Sequence, residues 1–350
     1  MGRYLKREDK AMKVLVPVED PLFGAAVVDF IGRHKWPLKT EFLVAHVIDP
    51  TLLDHSTQVS FISLLRACDE QVIADATGLV NAVAQALNNC CPYATVAQEV
   101  VQAPVKDQII RMAEKWGADL VIAGSHGRSG FNEFVLGSVS LALTQEIQAP
   151  LVLVRPDKES LRLWVNLDYS TRLHQSIEKE LARLQGKRKE ERVLLAMDET
   201  PLSRDIIDFV SHHGWPCDTE FKLISAVQAH HVTLLSEHKK TKLMQQMVWD
   251  REGILSVLAS RLREDLSTTK VSTFVEHGKP KEIILSIARD WQADLLVLGC
   301  HFRTSVQRFF LGSTALPILC SAPCTVLLFK DKSKARALYL VENQAVMSLN

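Results

Sequence analysis

Residues 119 to 140 read D-L-V-I-A-G-S-H-G-R-S-G-F-N-E-F-V-L-G-S-V-S, and the fold is decided there. The run from Asp119 to Ala123 has the apolar character of a strand buried on both faces. Gly124, Gly127 and Gly130 follow, and they leave backbone amides uncovered by side chains. Nine residues separate Gly127 from Gly137 and Ser138, where a helix is expected to begin. Bare N–H groups, a hydroxyl and the positive end of a helix dipole together favour an oxyanion such as phosphate. The loop lacks a closing Gly-Lys-Ser/Thr, so it is not a Walker A loop.

A second, altered copy of this stretch lies 175 residues further on. Trp116, Ala118, Asp119 and Leu120 return as Trp291, Ala293, Asp294 and Leu295. Gly124, His126, Arg128, Phe134, Leu136, Gly137 and Ser138 return as Gly299, His301, Arg303, Phe309, Leu311, Gly312 and Ser313. Upstream, Trp36, Pro37, Thr40, Glu41 and Phe42 return as Trp215, Pro216, Thr219, Glu220 and Phe221. Matches in one order at a nearly constant offset mean that a whole domain is duplicated. Solenoid repeats are much shorter, at roughly 20–50 residues.

The length agrees with two domains. The chain has 350 residues, 47% of them apolar, enough for two ordinary cores. Lysine plus arginine equals aspartate plus glutamate at 41 each, so the overall charge gives no attraction to nucleic acid or to an anionic membrane, and neither is expected as a partner. Any anion site must be local. Seven cysteines without a CxxC pair fit a reducing compartment. No secretory leader and no membrane-length apolar stretch is read, and a cytoplasmic location is expected.

Apolar periodicity assigns alternating strands and helices in each half. In the first half the strands are expected at 13–18, 41–48, 95–101, 120–123 and 151–154. The helices between them are expected at 22–34, near 60–89, at 105–116 and at 139–147. In the second half the strands fall near 192–197, 220–227, 271–276, 294–299 and 324–329. Strands separated by helices pair in parallel through right-handed crossovers, with helices on both faces. The expected class is therefore α/β, as two tandem doubly wound domains. Ligands of such sheets bind beyond the strand C-termini, which is where the Gly124 loop emerges. The expected organisation is a first domain over 12–156, a linker over 157–191, a second domain over 192–330 and a tail over 331–350. Within the linker, alternation over 161–167 hints at a strand, and Leu173, Ile177, Leu181 and Leu184 form a helical stripe. Trp116 and Trp291, at matching helix ends, are expected as core anchors.

The glycine spacing after the fourth strand resembles that of the universal stress protein family. So do the Val-Pro first strand ending in an acid and the Leu-Val-Ala-His-Val second strand. The chain is similar to a tandem member of it. The resemblance implies a Rossmann-like domain, also described as adenine nucleotide alpha hydrolase-like, with a five-stranded parallel sheet. In the first half it implies ATP, with or without Mg²⁺, as ligand. Gly124, Gly127, Gly137 and Ser138 would surround the phosphates, with Ser125, His126, Arg128, Val139 and Ser140 adjacent. Pro17, Val18 and Glu19 match the base and ribose contact, where aspartate is more usual, and Val47 matches the backbone contact to adenine.

The second half departs from this pattern. Phe302 and Ser305 stand where the second and third glycines would be. A phenylalanine blocks close approach of phosphate and resists positive φ. Gly312, Ser313 and the strand-end Asp198 remain, while Pro317 falls in the following helix. One working site per chain is expected, with the second half kept for packing. His212–His213 and His230–His231 lack a completing set of ligands, so no metal site is read.

The implied role is that of an ATP-binding stress-response regulator or sensor. The alternative is a nucleotide-free scaffold or adaptor acting as an intramolecular pseudo-dimer. The resemblance implies slow hydrolysis at most, and no catalytic constellation is found. An adenylating enzyme would carry His-x-Gly-His or Ser-Gly-Gly-x-Asp-Ser, and neither occurs. The resemblance also implies pairing through the last strands, by which family members commonly dimerise. A tandem chain can satisfy that pairing internally, with homodimerisation as a further option.

Overall fold

The computed structural model describes residues 11–50, 62–125, 136–156, 177–185, 190–228, 237–266, 270–300 and 312–330. The chain folds as two compact units, one over residues 9–188 and another built mainly of 189–350. The first unit holds β1 (Lys13–Pro17), α1 (Pro21–Arg33), β2 (Glu41–Ile48), α2 (Ile62–Cys90), β3 (Thr95–Gln102), α3 (Val105–Trp116), β4 (Leu120–Gly124), α4 (Ser138–Glu146), β5 (Leu151–Val154) and α5 (Ile177–Gln185). Its strands are parallel and ordered β3-β2-β1-β4-β5. From β1 the chain moves outward to β2 and β3, then crosses back to β4 on the other side. The C-terminal ends of β1 and β4 therefore flank the topological switch point, where a crevice opens in this class of sheet.

The second unit holds β6 (Arg192–Ala196), α6 (Pro201–Ser211), β7 (Glu220–Val227), α7 (Glu237–Asp265), β8 (Lys270–His277), α8 (Pro280–Asp290), β9 (Leu295–Cys300), α9 (Gly312–Ser321) and β10 (Thr325–Lys330). Its order is β10-β9-β6-β7-β8, again parallel. The middle strands β1, β4 and β9 are buried on both faces, as the continuous apolar runs require. In contrast β3 and β8 alternate and stay largely exposed at an edge.

The repeated sequence motifs are corners and clasps. In Trp36-Pro37, the indole N–H donates to the Ile31 carbonyl at 2.8 Å, closing the C-terminus of α1. The ring meets Phe42 edge-on at 5.5 Å, and Thr40 donates to the Pro37 carbonyl at 2.7 Å. Trp215 repeats this on Val210 at 2.7 Å and on Phe221 at 5.3 Å, and Thr219 donates to Pro216 at 2.8 Å. Each aromatic therefore satisfies an orphan helix carbonyl and seeds the next strand. Asp119 accepts the Lys13 amide at 3.1 Å and returns its own amide to the Lys13 carbonyl at 2.7 Å. Asp294 does the same with Arg192, at 2.9 Å in each direction. The shared aspartate thus sets the register of the central strand pair.

Trp116 and Trp291 prove half-buried instead of core. Lys13 lies 5.3 Å from the Trp116 ring centre and Lys222 4.6 Å from that of Trp291, so each ring roofs a lysine stem. Pro317 sits inside α9, beyond its first turn, and the helix runs through it. α5 packs on α1 and α2. The strand hinted at over 161–167 and the tail lie outside the described residues.

Candidate functional site

At the switch point of the first unit lies a cavity of about 670 Å³. The end of β1 supplies Pro17, Val18 and Glu19, and the end of β2 supplies Val47. Gly124 comes from the end of β4, and Ser138, Val139 and Ser140 from the first turn of α4. Eight sequence-predicted residues therefore meet in one place. Ser125 and Gly137 are not part of this lining. Ser125 is buried, and its amide donates to the Val154 carbonyl at 3.0 Å while its carbonyl accepts the Gly137 amide at 3.2 Å. This bridge fixes where α4 starts. His126, Gly127 and Arg128 lie outside the described residues.

Local chemistry explains these placements. Asp20 caps α1 by accepting the Phe23 amide at 3.0 Å, with Pro21 at the helix entrance. Because Asp20 does the capping, its neighbour Glu19 can line the cavity. Gly124 lies beneath Phe23: a Cβ there would come within 2.6 Å of the ring. No residue but glycine fits without moving Phe23. The carbonyl of Gly124 accepts the Ser140 hydroxyl at 2.9 Å, so that serine braces the loop to α4. Its hydroxyl is not turned to a ligand. Gly137 precedes α4 without a side-chain cap, which leaves the first-turn amides without intrahelical acceptors. His46 ties the ends of β1 and β2 together, its Nδ1 donating to the Val18 carbonyl at 2.9 Å.

Sequence reasoning missed one wall. Asp49 and Pro50, after β2, and Pro104, Val105, Lys106 and Asp107, at the start of α3, also line the cavity. The uncapped N-terminus of α3 thus joins that of α4. The signal was present in the rule that all strand C-termini on this side contribute, which includes the β3–α3 turn marked by Pro104.

The same place in the second unit is built differently. The carboxylate of Asp198 accepts the Thr200 amide at 2.9 Å and the Ser203 hydroxyl at 3.0 Å. It has taken over the turn before α6, a task held by Asp20 in the other unit. Leu202 replaces Phe23 over the strand-end glycine, 2.8 Å from where a Gly299 Cβ would lie. Phe302 and Ser305 lie outside the described residues.

Parallel α/β domains of this strand order, with a cavity at the switch point, define the doubly wound, Rossmann-like class. A family model, the universal stress protein family, matches residues 10–155 and 190–330, and the chain belongs to that family. Universal stress protein E of Salmonella typhi is 38% identical over 69 residues, which are 20% of this chain and 22% of that protein. A universal stress protein of Methanocaldococcus jannaschii is 24% identical over 152 residues, 41% of this chain and 94% of the relative. Among solved structures, a universal stress protein from Archaeoglobus fulgidus aligns over 91% of this chain and 98% of its own, with TM-score 0.51 and 20% identity. That likeness concerns the fold. No helix among the described residues is long and apolar enough to cross a membrane.

Proposed function

We propose that the first unit binds ATP in the switch-point cavity and that the chain acts as a nucleotide-responsive regulator in stress. The observation that carries this reading is the convergence of Glu19, Val47, Gly124 and the first turn of α4 on one cavity of about 670 Å³, a size within the usual small-ligand range of ~300–1,000 Å³. In this reading adenine rests against the backbone of Val47, and the Glu19 carboxylate accepts a ribose hydroxyl. The amides of Ser138, Val139 and Ser140 receive phosphate oxygens, and Lys106, also in the lining, contributes positive charge. Asp198 and Leu202 support a second unit given over to packing.

Calorimetry with ATP, with and without Mg²⁺, on protein stripped of co-purified nucleotide tests this. Wild type should bind one ATP per chain, and Gly127→Phe, which copies Phe302 into the first loop, should lose it. Absence of saturable binding by wild type would leave the nucleotide-free scaffold as the better reading.

A further inference from the structure

A second cavity of the first unit, of about 360 Å³, lies among the C-terminal parts of α1 and α2 and the helix α5. The duplicated unit explains why it exists. Asp29 of α1 corresponds to Asp208 of α6, as Trp36 corresponds to Trp215 at the same offset. In the second unit Asp208 is paired with Arg261 reaching across from α7. α2 ends at Cys90 and α7 at Asp265, and the strands after them enter equivalent registers, Thr95 opposite Glu41 and Lys270 opposite Glu220. By that offset Arg261 corresponds to Ala86. A methyl group stands where the other unit places a guanidinium stem.

The vacated space is polar. Asp29 is only 7% exposed and lines the cavity. Its Oδ2 pairs with Arg33 one turn along α1, while its Oδ1 has no hydrogen-bond partner. Gln85, Asn89 and Cys90 bring two amides and a thiol to the same space, and among the described residues none that lines it is cationic. Leu181 of α5 closes one side with apolar surface. A buried acceptor without a donor is unfavourable, so an N–H donor entering here is stabilised.

We propose that this cavity binds a small organic cation carrying a guanidinium or primary ammonium group, which takes the position of the Arg261 side chain and donates to Asp29 Oδ1. Gln85 and Asn89 supply further carbonyl acceptors, and the alkyl part lies against Ala86 and Leu181.

Agmatine, titrated into the full chain by calorimetry at constant ionic strength with a potassium chloride control, tests the site. Saturable binding of one agmatine per chain is expected. Ala86→Arg, which supplies the missing guanidinium covalently, should weaken it at least tenfold while the protein melts at or above the wild-type temperature. Asp29→Asn should weaken it similarly, and Gly127→Phe should leave it unchanged. No saturable binding by folded wild type, or binding undiminished in folded Ala86→Arg, would overturn the proposal.

Discussion

Gln292 holds a left-handed backbone, φ 53°, at the point of its unit where Gly117 holds φ 72° in the other. Both residues end a helix and turn the chain into the aspartate clasp of the next strand. Glycine enters this region without steric cost, whereas a side chain opposes it by about 1–2 kcal/mol. Gln292→Gly should therefore stabilise the second unit by about 1 kcal/mol, raising its transition by about 2–4 °C in scanning calorimetry. Gly117→Gln should lower that of the first unit by a similar amount. An unchanged transition in both variants would contradict the strain argument.

Ser138 and Ser140 lie two residues apart and should respond differently. Ser140 donates to Gly124 and is buried, so Ser140→Ala should cost about 1 kcal/mol of stability in chemical denaturation. Ser138 is exposed at the cavity. Ser138→Ala should leave the denaturation midpoint in place and weaken ATP binding. Equal stability losses in the two variants would show that Ser138 too is a structural brace.

Lys330 is fully buried, and desolvation pushes it down to about 8 from 10.5. Below about pH 8 the ammonium is charged in both folded and unfolded chains, and the folded state bears the cost of burying it. Between that point and 10.5 the unfolded chain binds more protons, so this residue's contribution makes stability rise with pH. Lys330→Met should remove that rise. The variant's advantage over wild type should be largest at neutral pH and shrink by up to roughly 3 kcal/mol through the alkaline window. A pH-independent difference between the two proteins would contradict a buried, titrating lysine.

Cys90 and Cys91 bring their sulfurs to 3.7 Å. A hydrogen bond from Cys91 holds the Cys90 thiol below its ordinary range, while Cys91 is itself pushed up. Cys90 is also exposed. Iodoacetamide followed by peptide mass analysis should find Cys90 alkylated before Cys91, with a pH midpoint that rises in Cys91→Ala. Simultaneous labelling of the two thiols would refute the asymmetry.

Much of this architecture was legible because the chain carries its own comparison. Trp36 and Trp215, or Asp119 and Asp294, recur since each meets a backbone need that every copy of the fold shares. The strand ends of β2, β5 and β7 fall where the apolar runs stop. The site was only partly legible. Glu19, Val47 and Gly124 could be aligned on a motif, whereas Lys106 and Asp107 enter through a crossover whose geometry leaves no fixed spacing. Ser140 reads as a ligand contact from its position, and only the fold reveals that its hydroxyl is committed to Gly124. The half-burial of Trp116 was likewise hidden, since aromatic character alone does not say that a lysine stem will share its surface. The cavity beside Asp29 requires α1 and α2 to be placed against each other, and no local pattern encodes the missing arginine.

The bonds of Asp198 to Thr200 and Ser203 also bear on the history of the chain. Once that carboxylate had been recruited to start α6, returning it to another use would unravel a helix entrance. Leu202 adds a second obstacle over Gly299, and Phe302 a third in the loop sequence. If the second unit is the packing module proposed above, reverting any one of them alone would leave the other two in place. On the proposed reading, the two halves' division of labour would be slow to reverse.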